Sequence, residues 1–188
     1  MRKPIAFIFF FLSACLSGWS QSGAITTYTV VENSKWLDGQ YRNGYSIALD
    51  ANQPVALNSW ASMIGSGGAK TYFYDPDNLI FVTENADLPE ISPQKLKVYA
   101  HFEYDGMHDA TLLTLWFQQP DGSFITTENN PEVSSAIYKF MMGFRFQSLA
   151  DLKDHIYREQ LQIAKNRFPN SEDVPVGPMH PLKGRSNQ

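Results

Sequence analysis

The chain has 188 residues, one cysteine and a formal charge of −4 at pH 7, a length that suits one domain with a substantial core. Aromatic residues make up 14% of the chain and charged residues 18%, which excludes an intrinsically disordered or coiled-coil chain. The acidic balance disfavours nucleic acid and anionic lipid headgroups as partners and favours a basic protein partner.

The N-terminal segment has the layout of an export signal. Arg2 and Lys3 precede an almost wholly apolar run over residues 5–12. This run is shorter than the ~20 apolar residues that a helix needs to span a bilayer. The segment therefore predicts a signal peptide rather than a retained membrane helix.

The motif Leu12-Ser13-Ala14-Cys15 resembles a bacterial lipobox, in which a small residue precedes a cysteine that receives a lipid. The resemblance implies that residues 1–14 are a signal peptide. It also implies that the sulfur of Cys15 is diacylated, as in palmitate-bearing envelope lipoproteins, and that this cysteine anchors the chain to a membrane.

The residue after the cysteine is Leu16 and not Asp. In a Gram-negative host that retains lipoproteins at the inner membrane through an Asp at this position, the resemblance implies the outer membrane as the destination, with the domain facing the periplasm. The alternative is an ordinary secretory signal over residues 1–20, cleaved before Gln21 after small residues. That alternative would give a soluble periplasmic or secreted protein.

The composition beyond the signal predicts a tether, a domain and a tail. Residues 15–24 are rich in Ser and Gly and predict a flexible tether, followed by one domain over residues 25–169. Within this domain, β-branched and aromatic residues predict strands over 25–31 and 44–49, with a turn or loop around Gly39 over 36–43 between them. Residues 170–188 lack an apolar pattern and predict a disordered tail.

Residues 58–68 predict an irregular or short helical piece that ends in a glycine-rich loop. The following stretches, 71–74 and 79–83, predict two strands of a hairpin, because the turn between them contains proline and Asx residues.

The clearest alternation in the chain runs from Lys95 to Asp105. Apolar residues from Leu96 to Tyr104 fall on one face, which predicts burial, and the polar residues between them predict a solvated face. Turns connect this strand to predicted strands over 111–118 and 124–127, which indicates an antiparallel meander.

The residues from Asn130 onwards have the start signals and apolar spacing of helices. Asn130 with Pro131 predicts a helix start, and Ser148 with Asp151 resembles a capping box that starts a second helix, which Pro169 ends. Together the patterns predict an α+β fold: a mainly antiparallel sheet of five to seven strands with two C-terminal helices packed on one face.

Two groups of residues resemble parts of a catalytic or metal-binding site. His101, Glu103 and His108 carry the imidazole and carboxylate groups that suit Zn or Mn, but their spacing matches no metal motif. Ser66 lies among glycines, but Ile64 replaces a glycine that a hydrolase nucleophile elbow requires. We therefore expect no metal and no cofactor, and a metal-dependent or serine hydrolase is the alternative interpretation.

We expect a non-catalytic envelope protein that binds another protein, as an inhibitor, an immunity factor or an accessory subunit of a secretion or conjugation machine. The expected contact residues combine two loop tryptophans with the solvated strand face, because aromatic anchors beside acidic charge favour binding of a basic partner. These residues are Trp36, Trp60, Tyr99, His101, Glu103 and Asp105.

Lipid attachment has a direct test. We expect the Cys15→Ser variant to accumulate as an unprocessed precursor or as a soluble periplasmic form, because serine has no sulfur to acylate. Membrane fractionation with mass spectrometry of the N-terminus measures this. Wild-type protein found wholly in the soluble fraction, with Gln21 at its N-terminus, would contradict the lipobox.

Overall fold

The computed structural model describes residues 29–65, 68–106 and 110–167. The predicted signal peptide, Cys15, the tether and the tail lie outside these residues, as do Ser66 and His108. The elements in chain order are β1 (Val31–Leu37), β2 (Gln40–Leu49), α1 (Gln53–Ile64), β3 (Lys70–Asp75), β4 (Ile80–Ala86), β5 (Leu96–Asp105), β6 (Ala110–Gln118), a short 3-10 turn (Pro131–Val133) and α2 (Ser134–Arg167).

The six strands form one sheet in the order β1-β2-β6-β5-β4-β3, and every neighbouring pair is antiparallel. This arrangement confirms the predicted α+β class with an antiparallel sheet of five to seven strands. The β3–β4 hairpin and the β5–β6 pair lie where the turn residues predicted them. Residues 124–127 form no strand, because only an isolated bridge joins Phe124 to Gln118.

The turn or loop predicted around Gly39 over residues 36–43 is present but much shorter than those bounds, because the β1–β2 ladder continues on both sides of it with Trp36 opposite Tyr41. Only Asp38 and Gly39 form the connection. Both have positive φ, at 54° and 75°, as a two-residue type I′ hairpin turn requires. Of the strand predicted over 25–31, residues 25–28 lie outside the described chain, and β1 begins at Val31.

One face of the sheet packs against both helices. The apolar residues of β5 from Leu96 to Phe102 are buried there, as their alternation predicted, whereas Tyr104 near the strand end is exposed. The strands contribute Tyr45, Ile47, Leu49, Leu96, Val98, Ala100, Phe102, Leu113, Leu115 and Phe117 to this core, and the helices contribute Ala56, Trp60, Ile64, Ile137, Met141 and Phe144.

Trp60, which the sequence placed at the surface, is buried at the centre of this core. Its ring centroid lies 5.5 Å from that of Phe144 and 6.3 Å from that of Phe102. The burial of Trp60 has a local cause. Asn52 caps α1 by accepting a hydrogen bond from the Val55 amide. The capped helix starts earlier than predicted and turns Trp60 towards the sheet.

The C-terminal segment forms one helix and not two. Ser148 is buried within α2, and its hydroxyl donates to the Arg145 carbonyl 2.9 Å away, so it caps no helix start. The second helix on the sheet is α1, which lies between β2 and β3 in the chain. Among the described residues, no helix is long and apolar enough to cross a membrane.

Candidate functional site

The second face of the sheet is covered by the β1–β2 hairpin. β2 pairs with β6 only from Tyr45 to Leu49, and the part of the hairpin before Tyr45 bends across the sheet. Its residue Leu37 is fully buried in a second apolar cluster. The other buried members come from β4, β5 and β6: Ile80, Val82, Tyr99 and Trp116.

Two polar contacts fix the hairpin in this position. The Lys35 Nζ atom lies 3.0 Å from Glu103 Oε2 on β5. At the tip, the Tyr74 hydroxyl donates to Asp38 Oδ1 over 2.8 Å, and Tyr74 belongs to the edge strand at the far side of the sheet. The hairpin therefore reaches from one edge of the sheet to the other.

The bend depends on a close approach at Gly44. A Cβ atom at this position would lie 2.6 Å from Trp116 Nε1, so only glycine leaves room for the indole. The same nitrogen donates to the Arg42 carbonyl over 3.2 Å. The Arg42 guanidinium in turn lies 4.4 Å from the Phe124 ring centroid, within the range of a cation–π contact.

The β1–β2 hairpin covers part of the β5 face that was predicted to be solvated. Tyr99 is only 7% exposed, with its ring centroid 5.1 Å from that of Tyr74. Tyr99 is therefore a packing residue, and its assignment as a solvated contact residue is wrong. The alternation of β5 shows which residues share a face. It cannot show that a hairpin from a distant part of the chain folds onto that face.

His101 is partly buried next to the hairpin, between Ile80 on β4 and Thr114 on β6. Burial lowers its pKa, and Lys35 acts in the same direction, while the carboxylates of Glu103 and Asp75 oppose the shift. The imidazole is therefore held in its neutral form at pH 7.

Glu103 is exposed as expected, but its charge is compensated by Lys35. Asp105 is partly buried at the end of β5, opposite Ala110. The expectation of an uncompensated acidic strand face is therefore wrong for Glu103. Lys35 lies far from Glu103 in the chain and meets it only because the hairpin bends.

The metal alternative gains no support from the described residues. Within residues 29–65, 68–106 and 110–167, no three His, Cys, Asp or Glu side chains are close enough to hold a metal ion. The proposed third ligand, His108, lies outside the described residues, so that set stays a prediction.

The most exposed aromatic pair lies on the outer side of the hairpin. Trp36 is 56% exposed and Tyr41 is 72% exposed, and their ring centroids are 5.2 Å apart with an interplanar angle of 78°. We call these two residues the aromatic pair. Side chains alternate along a strand, so Leu37 and Lys35 face the sheet while Trp36 faces solvent.

The sequence pointed to Trp36, and to Tyr72 and Tyr74 as aromatic groove candidates, but it missed Tyr41 and Phe73. Tyr72 and Phe73 on the edge strand β3 are both exposed. A signal for them exists, because three aromatic residues at successive positions, 72–74, cannot all face one core. Tyr41 is signalled by its position opposite Trp36 once the turn at Asp38 is recognised.

No protein-family model matches this chain, and comparisons with the curated proteins and with the solved structures find no match.

Acid should weaken the folded state through His101. Its folded pKa is lowered, so its contribution to the free energy of unfolding is fully present above the unfolded pKa of about 6.5 and is lost as pH falls through the folded value. We expect His101→Gln to reduce the fall in stability between pH 7.5 and pH 5, measured by urea unfolding. His155→Gln on the exposed side of α2 is the control. An unchanged pH dependence in His101→Gln would contradict the buried neutral imidazole.

Proposed function

We propose that this chain is a non-catalytic, lipid-anchored binding protein of the bacterial envelope, and that its protein partner docks on the aromatic pair of the hairpin. The observation that carries the proposal is the exposure of Trp36 and Tyr41 on a hairpin whose opposite side buries Leu37 against the sheet. The anchor at Cys15 and the periplasm-facing position at the outer membrane come from the signal motif.

Exposed aromatic rings support binding because they offer a large contact area with few rotamers to restrict. Trp36 and Tyr41 already contact each other edge to face, so each ring limits the motion of the other. Beneath them, buried Leu37 and the Tyr74–Asp38 hydrogen bond fix the backbone. Such a preorganised surface loses less conformational entropy on binding than a mobile loop does.

The charges near the hairpin tip support a basic partner. Asp38 belongs to the two-residue tip, Asp75 ends β3 directly after Tyr74, and Asp77 lies in the turn that follows. Hydrogen bonds from Asn78 lower the pKa of Asp75, so this carboxylate stays ionised at neutral pH. Acidic groups beside an apolar contact steer a basic partner and set its orientation.

This combination of anchor and surface suits an inhibitor or immunity factor, or an accessory subunit of an envelope machine such as a secretion or conjugation apparatus. In each of these roles the domain acts by occupying a surface of its partner. None of them requires a nucleophile or a bound cofactor in this chain.

The aromatic pair can be tested by substitution. We expect Trp36→Ala with Tyr41→Ala to lower affinity for the envelope partner by about tenfold or more, because truncating exposed aromatic anchors removes the largest contacts of an interface. The measurement is quantitative capture from envelope extracts on the immobilised protein, followed by titration of the captured partner.

Tyr104→Ala is the matched control, because Tyr104 is an exposed aromatic residue that shares the β5 face of Val98 and Phe102, on the side of the sheet away from the hairpin. Circular dichroism of each variant verifies that the fold is retained. Equal capture by the control and by the double variant would contradict docking on the hairpin.

A further inference from the structure

A polar cleft lies where β4 ends, β5 begins and the chain turns after β6. Its volume is about 770 Å³, which falls within the roughly 300–1,000 Å³ of small-molecule sites. Its lining combines four amide side chains, two ammonium groups and one carboxylate. These belong to Asn85, Gln94, Gln118, Gln119, Lys95, Lys97 and Glu84. We call this feature the polar cleft.

A β-bulge brings two consecutive residues of β4 to the polar cleft. Where the register between β4 and β5 shifts, Glu84 and Asn85 stand opposite the single residue Lys97. Neighbouring residues of a regular strand point to opposite faces, but both of these residues line the cleft. Asn85 has a φ of 58°, a left-handed conformation that asparagine tolerates better than most residues. Bulges of this kind re-aim side chains next to binding sites.

Hydrogen bonds hold the polar groups of the cleft in place. The Tyr72 hydroxyl donates to Glu84 Oε1 over 2.8 Å, and Lys97 Nζ lies 3.6 Å from the same oxygen. The hydrogen bond from Tyr72 lowers the pKa of Glu84, so this group is a carboxylate at neutral pH. Across the cleft, Gln118 Nε2 donates to the Gly122 carbonyl over 3.1 Å. Groups that are already oriented lose less conformational entropy when a ligand binds.

The chemistry of the lining selects a class of ligand. Each amide side chain both donates and accepts hydrogen bonds, so a ligand that displaces its water must do the same. An apolar ligand would leave the amides without hydrogen bonds, which is costly. The carboxylate of Glu84 repels a phosphate group, and the two lysines repel a cation. Hydroxyl groups both donate and accept, so a polyhydroxylated ligand such as an oligosaccharide satisfies this lining.

Two residues narrow this class to sugars that carry a carboxylate. Lys95 is exposed and has no carboxylate partner among the residues that the structure describes, whereas Lys97 lies beside Glu84. The Lys95 ammonium is therefore available to a carboxylate of the ligand. Tyr72, whose hydroxyl reaches Glu84, is 47% exposed. The apolar face of a sugar ring can pack against such an exposed aromatic ring.

We propose that the polar cleft binds an acidic oligosaccharide, with the amides and Glu84 on the ring hydroxyls and Lys95 on the carboxylate. The inference goes beyond the proposed function and is independent of it, because neither residue of the aromatic pair lines the cleft. The carboxylate has two chemical sources, a muramic acid and a uronic acid, and defined sugars distinguish them.

Titration calorimetry of the purified wild-type chain measures the ligand class. The acidic probes are a disaccharide of N-acetylglucosamine and N-acetylmuramic acid, and a hyaluronan tetrasaccharide, which contains glucuronic acid. Chitotetraose, built of N-acetylglucosamine alone, is the neutral control. We expect one of the acidic sugars to bind about fivefold more tightly than chitotetraose, because an exposed ion pair contributes up to about 1 kcal/mol. The tighter of the two acidic sugars identifies the source of the carboxylate.

Substitutions separate the roles of the amides and of Lys95. Asn85→Gly combined with Gln94→Ala removes two amides, and glycine accepts the positive φ of position 85. We expect this double variant to bind acidic and neutral sugars roughly tenfold more weakly. Lys95→Gln should abolish the preference for the acidic sugar while binding of chitotetraose is retained. Lys139→Gln, the same substitution at an exposed position of α2, is the matched control and should change neither affinity.

The proposal is overturned if neither acidic sugar binds the wild-type chain at millimolar concentration, or if chitotetraose binds as tightly as both of them. It is also overturned if the double amide variant binds as the wild type does, or if Lys139→Gln removes the preference as fully as Lys95→Gln. Circular dichroism verifies that each variant is folded. Capture of a protein partner by the aromatic pair is measured separately, so failure of the sugar site leaves that proposal standing.

Discussion

The packing of Leu37 beneath the bent β1–β2 hairpin is the contact on which the candidate site depends. It brings an apolar side chain from the end of β1 against Ile80 and Val82 of β4 and against Tyr99 and Trp116. The bend is allowed by Gly44, since any larger residue there would collide with the Trp116 indole. Burial of this cluster fixes the hairpin, and the fixed hairpin presents Trp36 and Tyr41 to solvent.

The two faces of the sheet therefore have different covers and different roles. Two helices close one face around Trp60, which provides the core of the domain. The hairpin closes the other face and presents the proposed binding surface on its outer side.

The sequence predicted the fold class and the helix-covered face of β5 because these follow from local period and turn chemistry. It did not predict the fate of Tyr99 or the pairing of Glu103 with Lys35, because both depend on a bend between segments far apart in the chain. Trp60 was wrongly predicted to lie at the surface because its polar neighbours gave no clear helical periodicity. The motif at Ser148 resembled a cap but lies inside a continuous helix, where its hydroxyl bonds to the preceding turn. Of the aromatic pair, the sequence predicted Trp36 but not Tyr41.

The central claim is that the hairpin lies folded on the sheet, and the most direct measurement is the free energy of unfolding of Leu37→Ala in urea. A buried leucine in a packed cluster predicts a loss of about 2–5 kcal/mol. Val31→Ala, an exposed residue of the same strand, should change stability by no more than about 0.5 kcal/mol. If Leu37→Ala costs no more than Val31→Ala, the hairpin extends away from the sheet in solution and the account is contradicted.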